Sequence, residues 1–229
     1  MNIFITGTDT DVGKTVVTTG MAAAVKSLGY SVGVFKPVQS GAIEINGDLI
    51  SPDLEFVKSV DSEILTKASY VFKEPVAPSL AADLAGVEID LDKIKDDFNE
   101  LKNKCDIVIV EGAGGLSAPV KNNFLMSDLA KMLDLPLLIV ARPDLGTINH
   151  TLLTTESAKN KNIKILGIII SGYPLETEDT AIKNAPGMIE QLSGEIILGL
   201  LPKIENLHNN PVVLKEMTLK HINLDFIIK

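Results

Sequence analysis

The chain of 229 residues contains no tryptophan and a single cysteine, and only 4% of its residues are aromatic. One cysteine cannot form a disulfide within the chain, which fits a reducing compartment. Cys105 precedes an apolar segment. We therefore predict that it is a small buried hydrophobic residue rather than a nucleophile.

Positive charge and long hydrophobic runs are also scarce. Lys and Arg number 21 against 30 Asp and Glu, which gives a formal net charge of −9. Duplex nucleic acid and anionic membrane surfaces are bound through clustered Lys and Arg, so neither is an expected partner. The longest apolar runs, near residues 137–141 and 165–170, are too short to span a bilayer. Because no signal-peptide pattern opens the chain either, we expect a soluble, cytoplasmic protein.

The chain is instead rich in aliphatic residues, and 45% of it is hydrophobic. Its Ile, Val and Leu runs are continuous rather than alternating, which indicates strands buried on both faces of a mostly parallel sheet. The predicted fold is α/β and P-loop NTPase-like, with helices on both faces of the sheet, and residues 1–229 are expected to form a single domain. The predicted strands lie near 2–6, 31–36, 106–111, 136–141, 164–170 and 195–200. The predicted helices lie near 14–28, 53–60, 90–103, 126–133, 149–160 and 177–192.

Three local features refine this prediction. Asp90 is predicted to cap a helix whose apolar face is formed by Leu91, Ile94, Phe98 and Leu101. Residues 42–51 are polar and contain glycine, so we expect a mobile loop there. The stretch from Asn206 onward has no clear assignment.

The most informative segment joins the first strand to the first helix and reads Gly7-Thr8-Asp9-Thr10-Asp11-Val12-Gly13-Lys14-Thr15. Strand, glycine-bounded loop, Lys-Thr and helix form the layout of a phosphate-binding loop. Unpaired N–H groups at a helix N-terminus attract anions, Lys14 adds a positive charge, and the Thr15 hydroxyl can bind Mg²⁺. Five residues separate Gly7 from Gly13 instead of four, so the loop is a variant. The alternative is an ordinary strand-to-helix turn that happens to carry Lys-Thr.

Polar or glycine-rich segments also follow three further predicted strands. They are Lys36 to Gly41, Glu111 to Gly115, and Arg142 to Gly146. Ligands of open parallel sheets bind at the carboxyl ends of the strands, so these segments and the phosphate-binding loop are expected to form one site.

Several side chains in these segments have two readings. Glu111 with the Thr15 hydroxyl suits Mg²⁺, whereas the alternative is that Glu111 only caps a turn. Lys36 is either a solvated strand end or a cation that faces the site, with the Ser40 hydroxyl nearby. Asp53 opens a helix after a proline, where it would interact with the helix dipole.

A second helix start carries Asn149 and His150. Its N-terminus is a candidate site for a carboxylate. His150 is either an acid–base group or structural, and no role is assigned to His208 or His221.

Taken together, the motifs resemble those of the dethiobiotin synthetase family, the ATP-dependent carboxylases of biotin biosynthesis. The resemblance covers about the first two-thirds of the chain, weakens after residue 170, and is carried by Gly7 to Thr15, Lys36-Pro37-Val38-Gln39-Ser40-Gly41, Ser51-Pro52-Asp53, Val110-Glu111-Gly112-Ala113-Gly114-Gly115 and Leu145-Gly146-Thr147-Ile148-Asn149-His150.

The resemblance implies a reaction and a set of substrates. CO₂ or bicarbonate carboxylates 7,8-diaminopelargonate to a carbamate, ATP phosphorylates the carbamate, and the second amine closes the ring of dethiobiotin. Mg²⁺ is the implied cofactor and ATP the co-substrate. The resemblance also implies a homodimer with the substrate at the subunit interface.

The resemblance further implies roles for particular residues. Catalysis would rest on Lys36, Lys14 and Thr10, and the Mg²⁺ ligands would be Thr15, Asp53 and Glu111. The diamine or its carbamate would contact Thr10, Ser40 and, plausibly from the neighbouring subunit, Gly146, Thr147, Ile148 and Asn149. The nucleotide would contact Asp11, Val12, Gly13, Lys14, Thr15, Val16, Asp53, Glu111, Gly112, Ala113, Gly114 and Pro202.

One departure concerns the base of the nucleotide. Ser171-Gly172 stands where family members often carry Asn-Asp, so the amide that would bind the adenine is missing. The choice between ATP and other nucleoside triphosphates therefore stays open. The segment Gly199-Leu200-Leu201-Pro202 resembles the family's last strand and the loop on the base side.

Three other classes share parts of the pattern. Partition or metal-centre-maturation ATPases typically carry an extra lysine early in the loop, where this chain has Asp9 and Thr10. A cobyrinate-type amidotransferase needs a glutaminase part with a nucleophilic cysteine, and Cys105 is misplaced for it. A non-enzymatic nucleotide switch would hydrolyse nucleotide slowly, whether or not the diamine is present.

Overall fold

The computed structural model describes residues 1–205, 207 and 212–228, with only the backbone of Phe226. Asn206 and His208 therefore lie outside the described residues. The strands are β1 (Ile3–Gly7), β2 (Val32–Gln39), β3 (Ile43–Ile45), β4 (Asp48–Ile50), β5 (Leu65–Val71), β6 (Ile107–Gly115), β7 (Pro119–Lys121), β8 (Phe124–Leu125), β9 (Leu137–Ala141), β10 (Ile165–Tyr173) and β11 (Ile197–Pro202). The helices are α1 (Lys14–Ser27), α2 (Pro52–Val60), α3 (Pro78–Ala85), α4 (Leu91–Lys102), α5 (Met126–Met132), α6 (Thr147–Asn160), α7 (Thr180–Ser193), α8 (Val213–His221) and α9 (Asp225–Ile228).

The described part of the chain builds a parallel sheet of seven strands in the order β11-β10-β9-β1-β6-β2-β5. All six predicted strands belong to it, and the predicted α/β class is confirmed. Successive residues of β1 point to opposite faces, so Ile3 and Ile5 enter one core cluster and Phe4 enters another. Both faces are buried, which is why these strands are continuously apolar.

Helices cover both faces of the sheet. Met21 of α1 and Leu214 of α8 pack with Ile5 on one face. Phe98 of α4 and Leu129 of α5 pack with Phe4 on the other. The six predicted helices are all present within two or three residues of their predicted bounds.

The prediction for α4 is confirmed at its cap and wrong at one position of its face. Asp90 caps the helix, since its Oδ1 accepts a hydrogen bond from the Asp92 N–H at 2.9 Å. Ile94, Phe98 and Leu101 are buried as predicted, but Leu91 is only half-buried because it lies in the first turn, at the margin of the packed face.

Residues 42–51, for which the sequence predicts a mobile loop, form a hairpin of β3 and β4. Asn46 and Gly47 supply its turn with φ angles of 54° and 90°. Asn-Gly with two positive φ angles is the preferred two-residue turn between antiparallel strands. This dipeptide was the signal that the prediction overlooked.

The two strands that carry the candidate site are longer than predicted. β2 continues through Pro37 to Gln39, and β6 continues to Gly115. Pro37 is tolerated because β2 pairs with β6 only from Val32 to Phe35, and beyond that point pairs with β5 alone. Lys36 and Glu111 therefore lie inside strands and not at their ends.

Cys105 is half-buried, whereas the sequence predicted a buried residue. It follows α4 at the edge of a core cluster, where Asp106 beside it is exposed. Burial raises the pKa of the Cys105 thiol, which disfavours a reactive thiolate and agrees with a packing role. In the ranges that the structure covers, the helices are too short or too polar to cross a membrane.

Candidate active site

The loops after β1, β2 and β6 meet at the carboxyl edge of the sheet around a cavity of about 800 Å³. Lys14 and Lys36 both line this cavity, so the two ammonium groups face the same space. Twelve of the predicted site residues line it, namely Thr10, Asp11, Gly13, Lys14, Thr15, Val16, Lys36, Ser40, Asp53, Glu111, Ala113 and Gly114.

The phosphate-binding loop is tightly wound. Gly13, which precedes α1, has φ +93°, a conformation that favours glycine. The Lys14 ammonium folds back and donates a hydrogen bond to the Asp9 carbonyl at 2.8 Å. A Cβ at Gly7 would lie 2.9 Å from the Lys14 Nζ and 2.7 Å from the Asp9 carbonyl oxygen, so the loop requires a glycine there.

Strand register brings Lys36 beside Glu111. Phe35 of β2 lies opposite Val110 of β6, so the residues that follow them are level and point to the same face. The Lys36 Nζ lies 2.7 Å from Glu111 Oε1 and 3.3 Å from the Gly112 carbonyl oxygen. Lys36 is neither a solvated strand end nor exposed, since only 4% of its surface is accessible.

Asp53 completes a cluster around this ammonium. Its Oδ2 lies 2.6 Å from the Lys36 Nζ, and the Thr15 hydroxyl donates to Glu111 Oε1 at 2.9 Å. Asp53 therefore has a charged partner besides the dipole of α2, and Glu111 contacts two site residues rather than only capping a turn.

The position of Asp53 is set by the start of α2. Ser51 caps the helix by accepting a hydrogen bond from the Leu54 N–H at 3.2 Å. Its hydroxyl donates to Gln39 Oε1 at 2.6 Å. Since Ser51 and Gln39 are both buried, this hydrogen bond ties the start of α2 to the end of β2.

The cavity holds Lys14 at an unusual pKa. Burial and, next, the charge of Lys36 lower the pKa of Lys14 from 10.5 to about 8, although Glu111, Asp53 and Asp11 act in the opposite direction. An anion that enters between the two lysines would relieve this repulsion.

Lys36 and Asp53 stabilise each other's charged form. Burial lowers the pKa of Lys36, but the charges and hydrogen bonds of Glu111 and Asp53 outweigh it, so that the pKa is raised. Burial raises the pKa of Asp53, but the charge and hydrogen bond of Lys36 and a hydrogen bond with Thr15 outweigh it, so that the pKa is lowered.

The donor set suits a hard divalent cation. Two carboxylates and a hydroxyl converge, and Mg²⁺ prefers one or two carboxylates completed by phosphate oxygens and water. The carboxylates of Asp53 and Glu111 already share a positive charge, that of Lys36. Nowhere in the described ranges do three or more His, Cys, Asp or Glu side chains cluster for a metal, so the Thr15 hydroxyl is part of the argument.

The predicted carboxylate-binding segment lies elsewhere in the single chain. Gly146, Thr147 and Ile148 line a separate, mostly apolar cavity of about 580 Å³ against α7, and Asn149 follows them in α6. α6 begins at Thr147, so Asn149 and His150 lie within its first turns instead of opening it.

His150 is placed apart from the main cavity. Its Nδ1 lies 3.4 Å from Arg142 Nη2, the residue after β9. The loop after β9 is thus the one of the four predicted loops that does not line the main cavity. His221 lies at the end of α8 and is half-buried.

The remaining predicted nucleotide contacts differ in placement. Val12 is buried in the core, and Gly112 offers its carbonyl to Lys36. Pro202 ends β11 beside Tyr173 of β10. Ser171 approaches the phosphate-binding loop, since a Cβ at Gly13 would lie 2.4 Å from its Oγ. None of Val12, Gly112 and Pro202 lines the main cavity.

The cavity also has walls that were not predicted. Besides Gln39, which belongs to the predicted segment Lys36 to Gly41, the cavity is lined by Ala118 and the segment Pro75 to Pro78. That segment follows β5 and starts α3, two elements that were not predicted. Pro78 at the first turn of α3 was an available signal, because proline favours that position.

The fold and the site together define a P-loop nucleoside-triphosphate-binding protein. A chain of the MinC:MinD cell division protein complex of Aquifex aeolicus has a similar fold, with a TM-score of 0.60 and 18% identity over 95% of this chain and 88% of that chain. Septum site-determining protein MinD from Pyrococcus horikoshii, solved with Mg-ADP, gives a TM-score of 0.56 and 17% identity over 93% and 86%. These likenesses concern the fold alone.

Sequence comparison narrows the class. Residues 1–211 match the family model AAA_26, described as an AAA domain. The chain is 41% identical to ATP-dependent dethiobiotin synthetase BioD of Bacillus velezensis, over 97% of this chain and 94% of the relative. The chain belongs to the dethiobiotin synthetase family, whose members are ATP-dependent ligases of biotin biosynthesis.

Proposed function

We propose that this chain is a cyclo-ligase that forms C–N bonds and converts 7,8-diaminopelargonate and CO₂ to dethiobiotin at the expense of ATP. The observation that carries the proposal is the shared cavity of Lys14 and Lys36, with Asp53 and Glu111 beside them. Two anions, a carbamate and a triphosphate, repel each other, and preorganised positive charge lets them meet.

The proposed reaction has three steps. One amine of the diamine attacks CO₂ and loses a proton, which gives a carbamate. A carbamate oxygen then attacks the γ-phosphorus of ATP and ADP leaves, which gives a carbamic-phosphoric anhydride. The second amine attacks the carbonyl carbon, phosphate leaves with the bonding electrons, and a proton is lost as the five-membered ureido ring closes.

The residues act mainly by charge and position. Lys14 holds the phosphates together with the N–H groups at the start of α1, and Lys36 holds the carbamate and the transferred phosphoryl group. Thr10 and Ser40, which both line the cavity, contact the diamine or its carbamate. Bringing the second amine next to the anhydride uses proximity and needs no covalent enzyme intermediate.

Thr15, Asp53 and Glu111 would hold the Mg²⁺ of the proposed reaction. A bound Mg²⁺ neutralises charge on the phosphates during transfer. The convergence of their oxygens around one positive charge supports this assignment.

We propose that a homodimer completes the site. Gly146 to Asn149 would contact the substrate carboxylate from the partner subunit, through N–H groups at the start of α6. Gly146, Thr147 and Ile148 line a cavity apart from Lys14 and Lys36 within one chain, which supports a contribution from a second copy. We also propose that residues 1–229 act as one domain in the cytoplasm, with no nucleic-acid or membrane partner.

Phosphate release tests the proposed function. With bicarbonate, Mg²⁺ and ATP, CTP or GTP in parallel, release should depend on 7,8-diaminopelargonate, and mass spectrometry should detect dethiobiotin. The three nucleotides address the base preference that Ser171 leaves open. Nucleotide hydrolysis that is the same without the diamine would reject the synthetase and favour a nucleotide switch.

A further inference from the structure

We infer that Lys36 is an internal counter-ion that occupies the divalent-cation site and exchanges with the metal. Its ammonium binds the two carboxylates of that site, and it leaves them when a divalent cation binds. This inference rests on the proposed function, because it uses its metal site and gives Lys36 a second position in the same cavity.

The hydrogen bonds of Lys36 support this exchange. A lysine ammonium has three N–H donors. Asp53 Oδ2, Glu111 Oε1 and the Gly112 carbonyl lie 2.6, 2.7 and 3.3 Å from the Nζ. All three donors therefore have acceptors inside the chain. Lys36 has to give up at least one of them before it can bind a carbamate or a phosphoryl oxygen.

The Lys36 ammonium and the proposed metal would use the same oxygen atoms. Glu111 Oε1 accepts hydrogen bonds from both the Lys36 ammonium and the Thr15 hydroxyl. An ammonium and a divalent cation cannot both share these oxygens closely, because at a few ångströms two positive charges in a buried site repel strongly. Binding of the metal therefore pushes Lys36 off the carboxylates that now neutralise the metal.

Burial of the cluster makes it costly to leave its carboxylate charge without a cation. Lys36 and Glu111 are 4% and 2% exposed, so the Glu111 carboxylate would be costly to leave without a cation. Lys36 stabilises the carboxylates until the metal arrives, and the same event supplies a freed ammonium to the incoming anions. The residue thus couples metal binding to the assembly of the anion site.

Manganese binding without nucleotide tests the exchange. Mn²⁺ is titrated into wild type, Lys36→Met and Lys58→Met, and the free ion is measured by electron paramagnetic resonance. Lys58 forms an exposed ion pair with Glu55 at 2.9 Å, so its variant has the same net charge change at a surface site on α2. Lys36→Met should bind one Mn²⁺ about tenfold or more tightly than wild type, because the competing ammonium is gone.

Two further variants test where the Mn²⁺ binds and provide an alternative if Lys36→Met does not fold. Adding Asp53→Asn to Lys36→Met should abolish the tight site. Lys36→Gln keeps a polar group and serves if Lys36→Met does not fold. Mn²⁺ should raise the melting temperature of either Lys36 variant more than that of wild type. Equal Mn²⁺ affinity in wild type and the Lys36 variants, or the same gain in Lys58→Met, would overturn the inference.

The outcome is separate from that of the proposed function. Diamine-dependent phosphate release with unchanged Mn²⁺ affinity would reject only the exchange. Tighter Mn²⁺ binding in Lys36→Met, together with no diamine-dependent phosphate release by the wild-type protein, would reject the synthetase reaction and keep the exchange.

Discussion

Lys36 and Glu111 are neighbours across the β2–β6 pair, with the Nζ of the lysine 2.7 Å from Oε1 of the glutamate. The register of Phe35 with Val110 fixes this contact, so the parallel sheet itself places the cation beside the carboxylate. Because Lys14 lines the same cavity, one cavity is lined by two lysines and by the carboxylates that we propose as metal ligands.

Replacing Lys36 with alanine should reduce turnover and largely spare nucleotide binding. The loss of preorganised charge should lower turnover by ~10²-fold or more. Steady-state phosphate release and nucleotide titration measure the two effects, with Lys58→Ala as the control for net charge. Unchanged turnover in Lys36→Ala would remove Lys36 from the mechanism.

Lys14→Ala should instead weaken nucleotide binding. The Lys14 ammonium lies at the start of α1, where the helix dipole and free N–H groups attract phosphate. Titration calorimetry with a non-hydrolysable ATP analogue measures the affinity. If wild type and Lys14→Ala bind the analogue equally well, Lys14 does not hold the phosphates.

Nucleotide binding should take up a proton near pH 8. The pKa of Lys14 is lowered to about 8. At that pH about half of the Lys14 side chains are neutral amines, and at pH 6.5 most are charged ammonium groups. Bound phosphates favour the charged form, so affinity should fall as pH rises above 8, by at most about tenfold per pH unit.

Calorimetry at pH 8 in two buffers of different protonation enthalpy detects this uptake. Lys14→Arg stays charged in this range and should show none of it. An affinity that is constant from pH 7.5 to 9.5 would argue against a neutral fraction of Lys14.

Ser51→Ala should destabilise the folded protein and displace Asp53 from its position in the cavity. The variant loses the cap of α2 and leaves Gln39 Oε1 without its hydroxyl donor. We expect a loss of about 1 kcal/mol in urea unfolding and a higher Mg²⁺ requirement for turnover. Ser59→Ala is the control, since Ser59 bonds an exposed carbonyl of the same helix. An unaltered Mg²⁺ requirement would separate the cap from the metal site.

Gly20→Ala should also destabilise the chain, although alanine favours a helix by about 1 kcal/mol over glycine. A Cβ at Gly20 would lie 2.2 Å from Thr218 Oγ1 and 3.2 Å from Leu214 Cγ, where α8 packs on α1. Overpacking costs typically about 1–3 kcal/mol and should win. Adding Thr218→Ala should recover part of the loss in chemical unfolding. A more stable Gly20→Ala would show that α8 does not pack closely there.

Local patterns predicted the sheet and the phosphate-binding loop well. β1, β9 and β10 are buried on both faces, and their continuous runs of aliphatic residues predict this burial. The glycines and Lys-Thr after β1 predicted a turn into a helix, because few other residues adopt the φ of Gly13.

The features that the sequence did not predict depend on contacts between residues that are far apart in the chain. β5 is a half-buried edge strand with Thr66, Lys67 and Ser69, so its pattern lacks an aliphatic run. Lys36, Asp53 and Glu111 were each predicted, but their mutual contacts were not. The contact of Lys36 with Glu111 follows from the register of β2 with β6, and that of Asp53 follows from how the start of α2 is held against β2. The approach of Ser171 to Gly13 likewise depends on the strand order, in which only β9 separates β10 from β1.

We propose that Lys14, Lys36 and a divalent cation bring the two anions together. A crystal structure with Mg²⁺, a non-hydrolysable ATP analogue and 7,8-diaminopelargonate would show these contacts. Both ammonium groups should contact the terminal phosphate while Asp53 and Glu111 face the metal. A terminal phosphate out of reach of Lys36, with Lys36 still bound to Asp53 and Glu111, would refute the proposal.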